Sequence, residues 1–236
     1  MTRPASPSPV TPKLSSPILR RWRALLLPVF LGAGCALPDP DDVVLGAGFR
    51  PGNVHVETRR LNPHLRRVAV LPLTSEVGGT PAADAQESLE AAFRSELKRT
   101  QRFETVWVGR EELQNLTGRA DWAADDTLPP DFLKRLREKF RCDAVLFARL
   151  TRYEAYPPLA VGWQFKLVGC PTPQVLWAFD EVFDAREGAV VNSARRFRQS
   201  DRMPGKRPAD SRIVLTSPRL FAAYTVHDAL ATLPPQ

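Results

Sequence analysis

Three apolar stretches separated by proline turns dominate the second half of this 236-residue chain. They run from 143 to 150, from 162 to 168 and from 175 to 183, and apolar and polar residues alternate in much of the last two. Tyr156-Pro157-Pro158 separates the first pair and Pro171-Thr172-Pro173 the second. Alternation with period two is typical of strands, and prolines confined to the connections leave the strands intact. The pattern predicts an antiparallel meander.

The rest of the chain alternates between strand and helix patterns. A long helix is indicated by apolar residues at every fourth position, namely Ala85, Leu89, Phe93 and Leu97. The complete order is βα-βα-α-βββ-αα. The first two strands are predicted at 66–73 and 103–108, and the long helix ends near Thr100. Further helices are predicted at 111–116, 130–140 and 187–199, followed by a flexible loop at 202–210 and a last helix that begins with Ser217-Pro218. This order predicts an α/β (α+β) sandwich in which helices pack on a mixed sheet, as a single domain over residues 66–236.

The N-terminal segment has the pattern of an export signal. Residues 1–19 are rich in Pro, Ser and Thr, which predicts a disordered leader. A cationic group at 20–23 then precedes an apolar run at 24–31 and the small residues Gly32, Ala33 and Gly34. The run is much shorter than the roughly 20 residues that span a bilayer. Residues 1–34 are therefore predicted to be a leader and signal peptide.

The residues Ala33-Gly34-Cys35 resemble the lipobox of bacterial lipoproteins. The resemblance implies that Cys35 carries a covalent lipid, with no other cofactor, and that Ala36 directs the protein to the periplasmic face of the outer membrane. Residues 35–65, which are rich in Pro, Gly and Asp, are predicted to form a flexible tether after the lipidated cysteine. The alternative is ordinary cleavage after the small-x-small run Gly34-Cys35-Ala36, which gives a soluble periplasmic protein.

The distribution of charge argues against a nucleic-acid partner. The chain has 33 Lys and Arg against 26 Asp and Glu, but five of the cations and none of the acids precede Cys35. The remainder has 28 cations against 26 acids and a net charge of only +2. Nucleic-acid binding requires cations clustered on the folded part.

No motif of a known active site appears. The glycines Gly78 and Gly79 precede a helix, yet no phosphate-binding fingerprint surrounds them, and the sequence has no G-x-S-x-G elbow. The histidines His55, His64 and His227 are too scattered for a recognisable metal site. The sequence predicts a protein that is not an enzyme and holds no metal. The alternative is a periplasmic small-ligand binder or enzyme that uses the Gly78-Gly79 loop.

Two tryptophans on consecutive predicted strands have two interpretations. Trp163 and Trp177 either pack in the core or form an exposed pair that marks a partner surface.

The two cysteines of the domain are candidates for a disulfide. A hairpin centred on Tyr156 places Cys142 opposite Cys170, Phe147 opposite Phe165, and Val145 opposite Leu167. In an oxidising compartment this register permits a bridge, whereas a shifted register leaves two buried thiols.

Several motifs between residues 66 and 185 resemble a known group of periplasmic lipoproteins. They are Val68-Ala69-Val70-Leu71-Pro72-Leu73, Arg102-Phe103-Glu104-Thr105-Val106, Cys142-Asp143-Ala144-Val145-Leu146-Phe147 and Val175-Leu176-Trp177. Their succession is similar to the α/β domain of CsgG, LpoB and the N-terminal domain of TolB. The resemblance implies a membrane-anchored, non-catalytic binding or scaffolding module of the envelope, such as an activator or a secretion accessory. Its protein partner is not identified by these motifs.

Overall fold

The strands of the meander and those of the first half join one mixed sheet. The computed structural model describes residues 45–78, 80–199 and 208–236, and of residues 80–84 and 208–210 only the backbone. Cys35, the predicted signal peptide and residues 35–44 of the predicted tether lie outside the described residues. The strands within the described ranges are β1 (Val54–Val56), β2 (Arg67–Val70), β3 (Thr74–Ser75), β4 (Glu104–Trp107), β5 (Ala144–Glu154), β6 (Ala160–Gly169) and β7 (Val175–Asp184).

The sheet changes from antiparallel to parallel at β5. Its order is β1-β7-β6-β5-β2-β4, and the short β3 pairs with β5. Strands β5, β6, β7 and β1 are antiparallel neighbours, which confirms the predicted meander, whereas β2 is parallel to both β4 and β5.

The predicted helices are present close to their predicted bounds. They are α1 (Thr80–Thr100), α2 (Arg110–Thr117), α3 (Phe132–Phe140), α4 (Gly188–Gln199) and α5 (Pro218–Ala231). The hydroxyl of Ser217 caps α5 by accepting the backbone N–H of Leu220, and Pro218 follows in the first turn, where proline is well tolerated. A 3₁₀ helix covers Pro208–Leu215, so the predicted flexible loop at 202–210 is in part helical.

Each face of the sheet carries its own apolar cluster. Val68 and Leu146 point to the face covered by α1, α4 and α5, whereas Ala69, Val145 and Phe147 point to the face covered by α2 and α3. This division follows from the period of two along each strand. The arrangement is the predicted α/β sandwich.

The segment before β2 is part of the domain. The ring of Phe49 lies 5.1 Å from that of Phe183, and the backbone N–H of Phe49 donates to the carbonyl of Ala189 at 3.0 Å. Leu61 and Leu65 are buried. Residues 45–65 therefore belong to the domain and not to the predicted tether, because Phe49, Val54, Leu61 and Leu65 pack on the core.

The register of the β5–β6 hairpin differs by one residue from the predicted one. Phe147 lies opposite Lys166, and Val145 lies opposite Val168, so the predicted pairs with Phe165 and Leu167 are wrong. A β-bulge between Leu150 and Arg152 supplies the extra residue near the turn. A shift of one residue exchanges the two faces of a strand. The observed register is the one that places Phe165 and Leu167 on the face of α1 and α5 while Phe147 faces α3.

The packing of α1 predicts a large effect at one position. Phe93 is 1% exposed and its ring stacks on Phe165 with centroids 5.3 Å apart. Phe93→Ala is expected to lower the free energy of unfolding by about 3–5 kcal/mol, since it leaves a cavity in the core. Lys98→Ala, on the exposed side of the same helix, is the control and is expected to change it by less than about 0.5 kcal/mol. Urea denaturation measures both, and equal losses would mean that α1 presents another side to the sheet.

Candidate functional site

A groove of about 1000 Å³ opens between α3 and the turn that joins β6 to β7. We call this cavity the α3 groove. Its apolar walls come from two proline-containing segments and one helix position, and they comprise Leu128, Pro129, Pro130, Leu133, Pro171 and Pro173. Phe132, Leu136 and Phe140 anchor α3 to the sheet because they form its buried stripe. Of the remaining helix positions, Leu133, Lys134, Arg137 and Glu138 line the groove.

Three cations rim the α3 groove. They are Lys134 and Arg137 of α3 and Arg141, which directly follows the helix. Within the described ranges, none of the three forms an ion pair with a carboxylate within 4.0 Å. Of the two acids in the lining, Glu138 and Asp143, the second accepts the backbone N–H groups of Arg66 and Arg67 at 2.9 and 3.0 Å. The rim is therefore positive.

Arg141 has an unfavourable backbone conformation for a residue with a side chain. Its φ of 53° and ψ of 40° place it in the left-handed region, where its N–H donates to the carbonyl of Arg137 and ends α3. Glycine is the usual residue at this position of a helix C-terminus. An arginine here brings a cation to the groove at a cost in conformational energy of about 1–2 kcal/mol.

The two cysteines of the domain meet in the wall of the α3 groove. Cys142 is 1% exposed and Cys170 is 7% exposed, and their Sγ atoms are 3.7 Å apart as free thiols. The backbone N–H of Cys170 donates to the carbonyl of Asp143 at 2.8 Å, which keeps the end of β6 beside the start of β5. The predicted register that places the cysteines directly opposite each other is wrong by one residue, yet the strand ends still bring the sulfur atoms together.

The two thiols influence each other's ionisation. A hydrogen bond from Cys170 lowers the pKa of Cys142, which favours the thiolate at that position. The same hydrogen bond, together with burial, raises the pKa of Cys170 well above its ordinary value. When the pair ionises, the first proton is therefore lost from Cys142.

The tryptophans are core residues. Trp163 and Trp177 are each 0% exposed, and their indole N–H groups donate to the hydroxyls of Thr225 and Thr232 at 2.8 and 3.1 Å. The prediction of a partner surface at these two residues is wrong, and the alternative of core packing is correct. Both tryptophans are buried because their side chains lie on the face of the sheet that α5 covers, where the two rings flank Phe165.

The other sequence candidates do not converge on a site. A side chain at Gly78 would meet nothing within 4 Å, so open space surrounds it, and Gly79 lies outside the described residues. Among the side chains that the structure describes, no three His, Cys, Asp or Glu residues form a potential metal site.

The described part of the chain contains no helix with both the length and the apolar content required to cross a bilayer.

Sequence reasoning did not single out Lys134, Arg137 and Arg141. Their spacing of three and then four residues follows the helical period, which places them on one side of α3 next to its apolar stripe. That spacing is the signal from which this row of cations can be recognised.

Comparisons with known proteins give only distant likenesses. No family model matches the chain, and no curated protein matches it. The PelC dodecamer from Paraburkholderia phytofirmans is 13% identical over 78% of this chain and 96% of its own, with a TM-score of 0.42. The lipoprotein GNA1162 from Neisseria meningitidis is 18% identical over 50% and 79%, with a TM-score of 0.33. The LpoB C-terminal domain from Escherichia coli is 17% identical over 50% and 82%, with a TM-score of 0.32. Likeness at this level does not carry a function from one protein to another.

The conformation of Arg141 predicts an unusual stabilisation. Arg141→Gly is expected to raise the free energy of unfolding by about 0.5–1 kcal/mol, because relief of the left-handed strain exceeds the added entropy of the unfolded chain. Arg141→Ala is the matched control, since it also removes the charge but keeps a Cβ, and it is expected to give no gain. Chemical denaturation of the three proteins checks this, and a glycine variant less stable than the alanine variant would contradict it.

Proposed function

We propose that this chain is a lipid-anchored, non-catalytic binding module of the bacterial envelope. In this proposal Cys35 carries the lipid, and the α3 groove binds an extended acidic segment of a partner protein. The soluble periplasmic form remains the alternative for the location, and the membrane experiment below decides between the two.

The anchor is supported by the apolar run and the small residues that precede Cys35. An apolar run of eight residues ends four residues before Cys35, and the first described residue, Leu45, follows ten residues after it. Ten residues reach at most about 35 Å. A diacylglycerol on Cys35, with a second acyl signal, provides stable attachment because each buried CH₂ contributes about 0.8 kcal/mol. The domain therefore lies within a few nanometres of the membrane.

The binding role rests on one observation, a row of cations that has no carboxylate partner in the described part of the chain and lies beside apolar proline walls. Prolines lack an N–H donor, so the walls offer apolar contact rather than a ladder of backbone hydrogen bonds. Lys134, Arg137 and Arg141 then provide the complementary charge that selects an acidic occupant. An extended segment suits a groove that is open to solvent and bounded by α3 on one side and the β6–β7 turn on the other. The left-handed Arg141 fits this role, since it brings a charge to a position where glycine is the usual residue.

Removal of the Cys35 thiol is expected to release the protein from membranes. Wild-type protein expressed in a bacterium is expected to incorporate radiolabelled palmitate and to sediment with the membranes, whereas Cys35→Ser is expected to do neither. Cys142→Ser is the control, because it removes another cysteine and is expected to leave both properties unchanged. Cys35→Ser protein that remains labelled and membrane-bound contradicts the anchor, and wild-type protein found in the soluble periplasm supports the alternative.

The groove is tested with a fluorescent 12-residue peptide of Asp, Pro and Leu and with its counterpart in which Lys replaces Asp. Fluorescence anisotropy is expected to show binding of the acidic peptide only, weakened by added salt because ions screen the charges. Arg137→Glu is expected to raise the Kd by about tenfold or more, and Arg141→Gly is expected to raise it despite its greater stability. Gln101→Gly is the matched control, since Gln101 also has a positive φ of 51° but does not line the groove. Equal affinity for the two peptides would contradict the proposed specificity.

A further inference from the structure

We propose that Cys142 and Cys170 form a disulfide in an oxidising compartment, and that this bond fixes one wall of the α3 groove. The inference uses the proposed export only for the source of the oxidant. The chemistry itself depends on the position of the two sulfur atoms, which is independent of the anchor and of any partner.

The geometry brings the two cysteines close enough to bond. Their Sγ atoms are 3.7 Å apart, and a disulfide bond is about 2.05 Å long. The hydrogen bond between Cys170 and Asp143 holds the two backbone segments side by side. The remaining approach of less than about 2 Å is within the range of side-chain rotation, so the strands need not separate.

The sulfur atoms are each other's nearest reaction partners in this wall. Both are almost fully buried, yet both line the α3 groove, which is open to solvent. A small disulfide in solution therefore has a path to them. Burial on the remaining sides restricts the access of a second protein chain, which favours the bond within one chain over a bond between chains.

The reaction balances as thiol–disulfide exchange. One thiolate attacks a sulfur of an oxidant disulfide, forms a mixed disulfide and releases the first thiol of the oxidant. The second cysteine attacks the sulfur of the first, forms the Cys142–Cys170 bond and releases the second thiol. The two cysteines lose two protons and two electrons, and the S–S bond of the oxidant is reduced to two thiols.

The bond has a consequence for the α3 groove. Cys142 follows Arg141 at the end of α3, and Cys170 precedes the proline turn at 171–173. The cross-link therefore ties the cationic side of the groove to its proline side. It joins two cysteines that are 28 positions apart in the sequence, and closure of a loop of this length is expected to add measurable stability.

The test uses the full chain with Cys35→Ser, so that only two cysteines remain. Purified protein is equilibrated with excess oxidised glutathione, quenched in acid, alkylated and digested without reduction. Mass spectrometry is expected to show a peptide that links Cys142 to Cys170, and the Tm is expected to rise by about 10 °C over that of the reduced protein. Cys170→Ser in the same background is expected to show no rise.

Two free alkylated cysteines, or separate glutathione adducts at the two positions, would overturn the proposal. The thiol count is made on protein that keeps both cysteines, so it stands even if Cys170→Ser fails to fold. If the wild-type protein is not attached to membranes but the linked peptide is found, the anchor is contradicted and the disulfide is supported. If the wild-type protein is attached to membranes but both thiols stay free in oxidised glutathione, the disulfide is contradicted and the anchor is supported.

Discussion

The ring of Phe165 holds the main core together. It lies at the centre of an aromatic layer, 5.3 Å from Phe93 of α1, 5.6 Å from Trp163 and 6.0 Å from Trp177. These contacts join a helix and two adjacent strands through one side chain. The indole N–H groups of Trp163 and Trp177 also restrict how α5 packs on the sheet, because a buried donor without an acceptor costs about 1–3 kcal/mol. Their acceptors lie in α5 and just after it, so the position of α5 along the sheet follows from the two tryptophans.

Among the residues that the structure describes, only part of the opposite face of the sheet is covered, and this leaves room for the groove. The short helices α2 and α3 cover β2 and β5, whereas β6 and β7 present polar residues on that side, such as Gln164 and Asp180 with a hydrogen bond of 3.1 Å. Helix α3 has nine residues and ends where β5 begins. The space alongside α3 is bounded by the β6–β7 turn, where prolines prevent the strands from continuing. The groove is thus a result of the position of α3 next to this turn.

Sequence patterns predicted the long elements well because their periods extend over many residues. The helices and the meander strands are of this kind, and so is the sandwich that they form. Strand β1 was missed, since three residues in a Pro- and Gly-rich segment carry no period. It is held by tertiary contacts instead, including two backbone N–H groups, of Gly52 and Asn53, that donate to the Glu181 carboxylate at 2.6 and 2.7 Å. The hairpin register depended on a β-bulge after Leu150, which the alternation of apolar residues does not show.

The candidate site was less accessible to sequence reasoning than the fold. The two sides of the α3 groove come from residues 128–143 and 170–173, and only the sheet brings these segments together. The cysteines were identified as a pair from their place at strand ends, although the predicted register was off by one residue. The tryptophans remained ambiguous because an alternating strand has two faces, and the sequence does not state which face a helix will cover.

The place of α5 in the fold has a consequence for the biosynthesis of the protein. Phe221, Tyr224 and Leu230 fill the middle of the face that α1 and α4 also cover, and the carbonyl of Pro235 accepts the backbone N–H of Leu61 at 2.7 Å. The aromatic layer therefore stays open to water until residues 218–235 have left the ribosome. A nascent chain in this condition cannot complete its core early. The rings of β6 and β7 therefore remain uncovered for some time after their own strands have been synthesised.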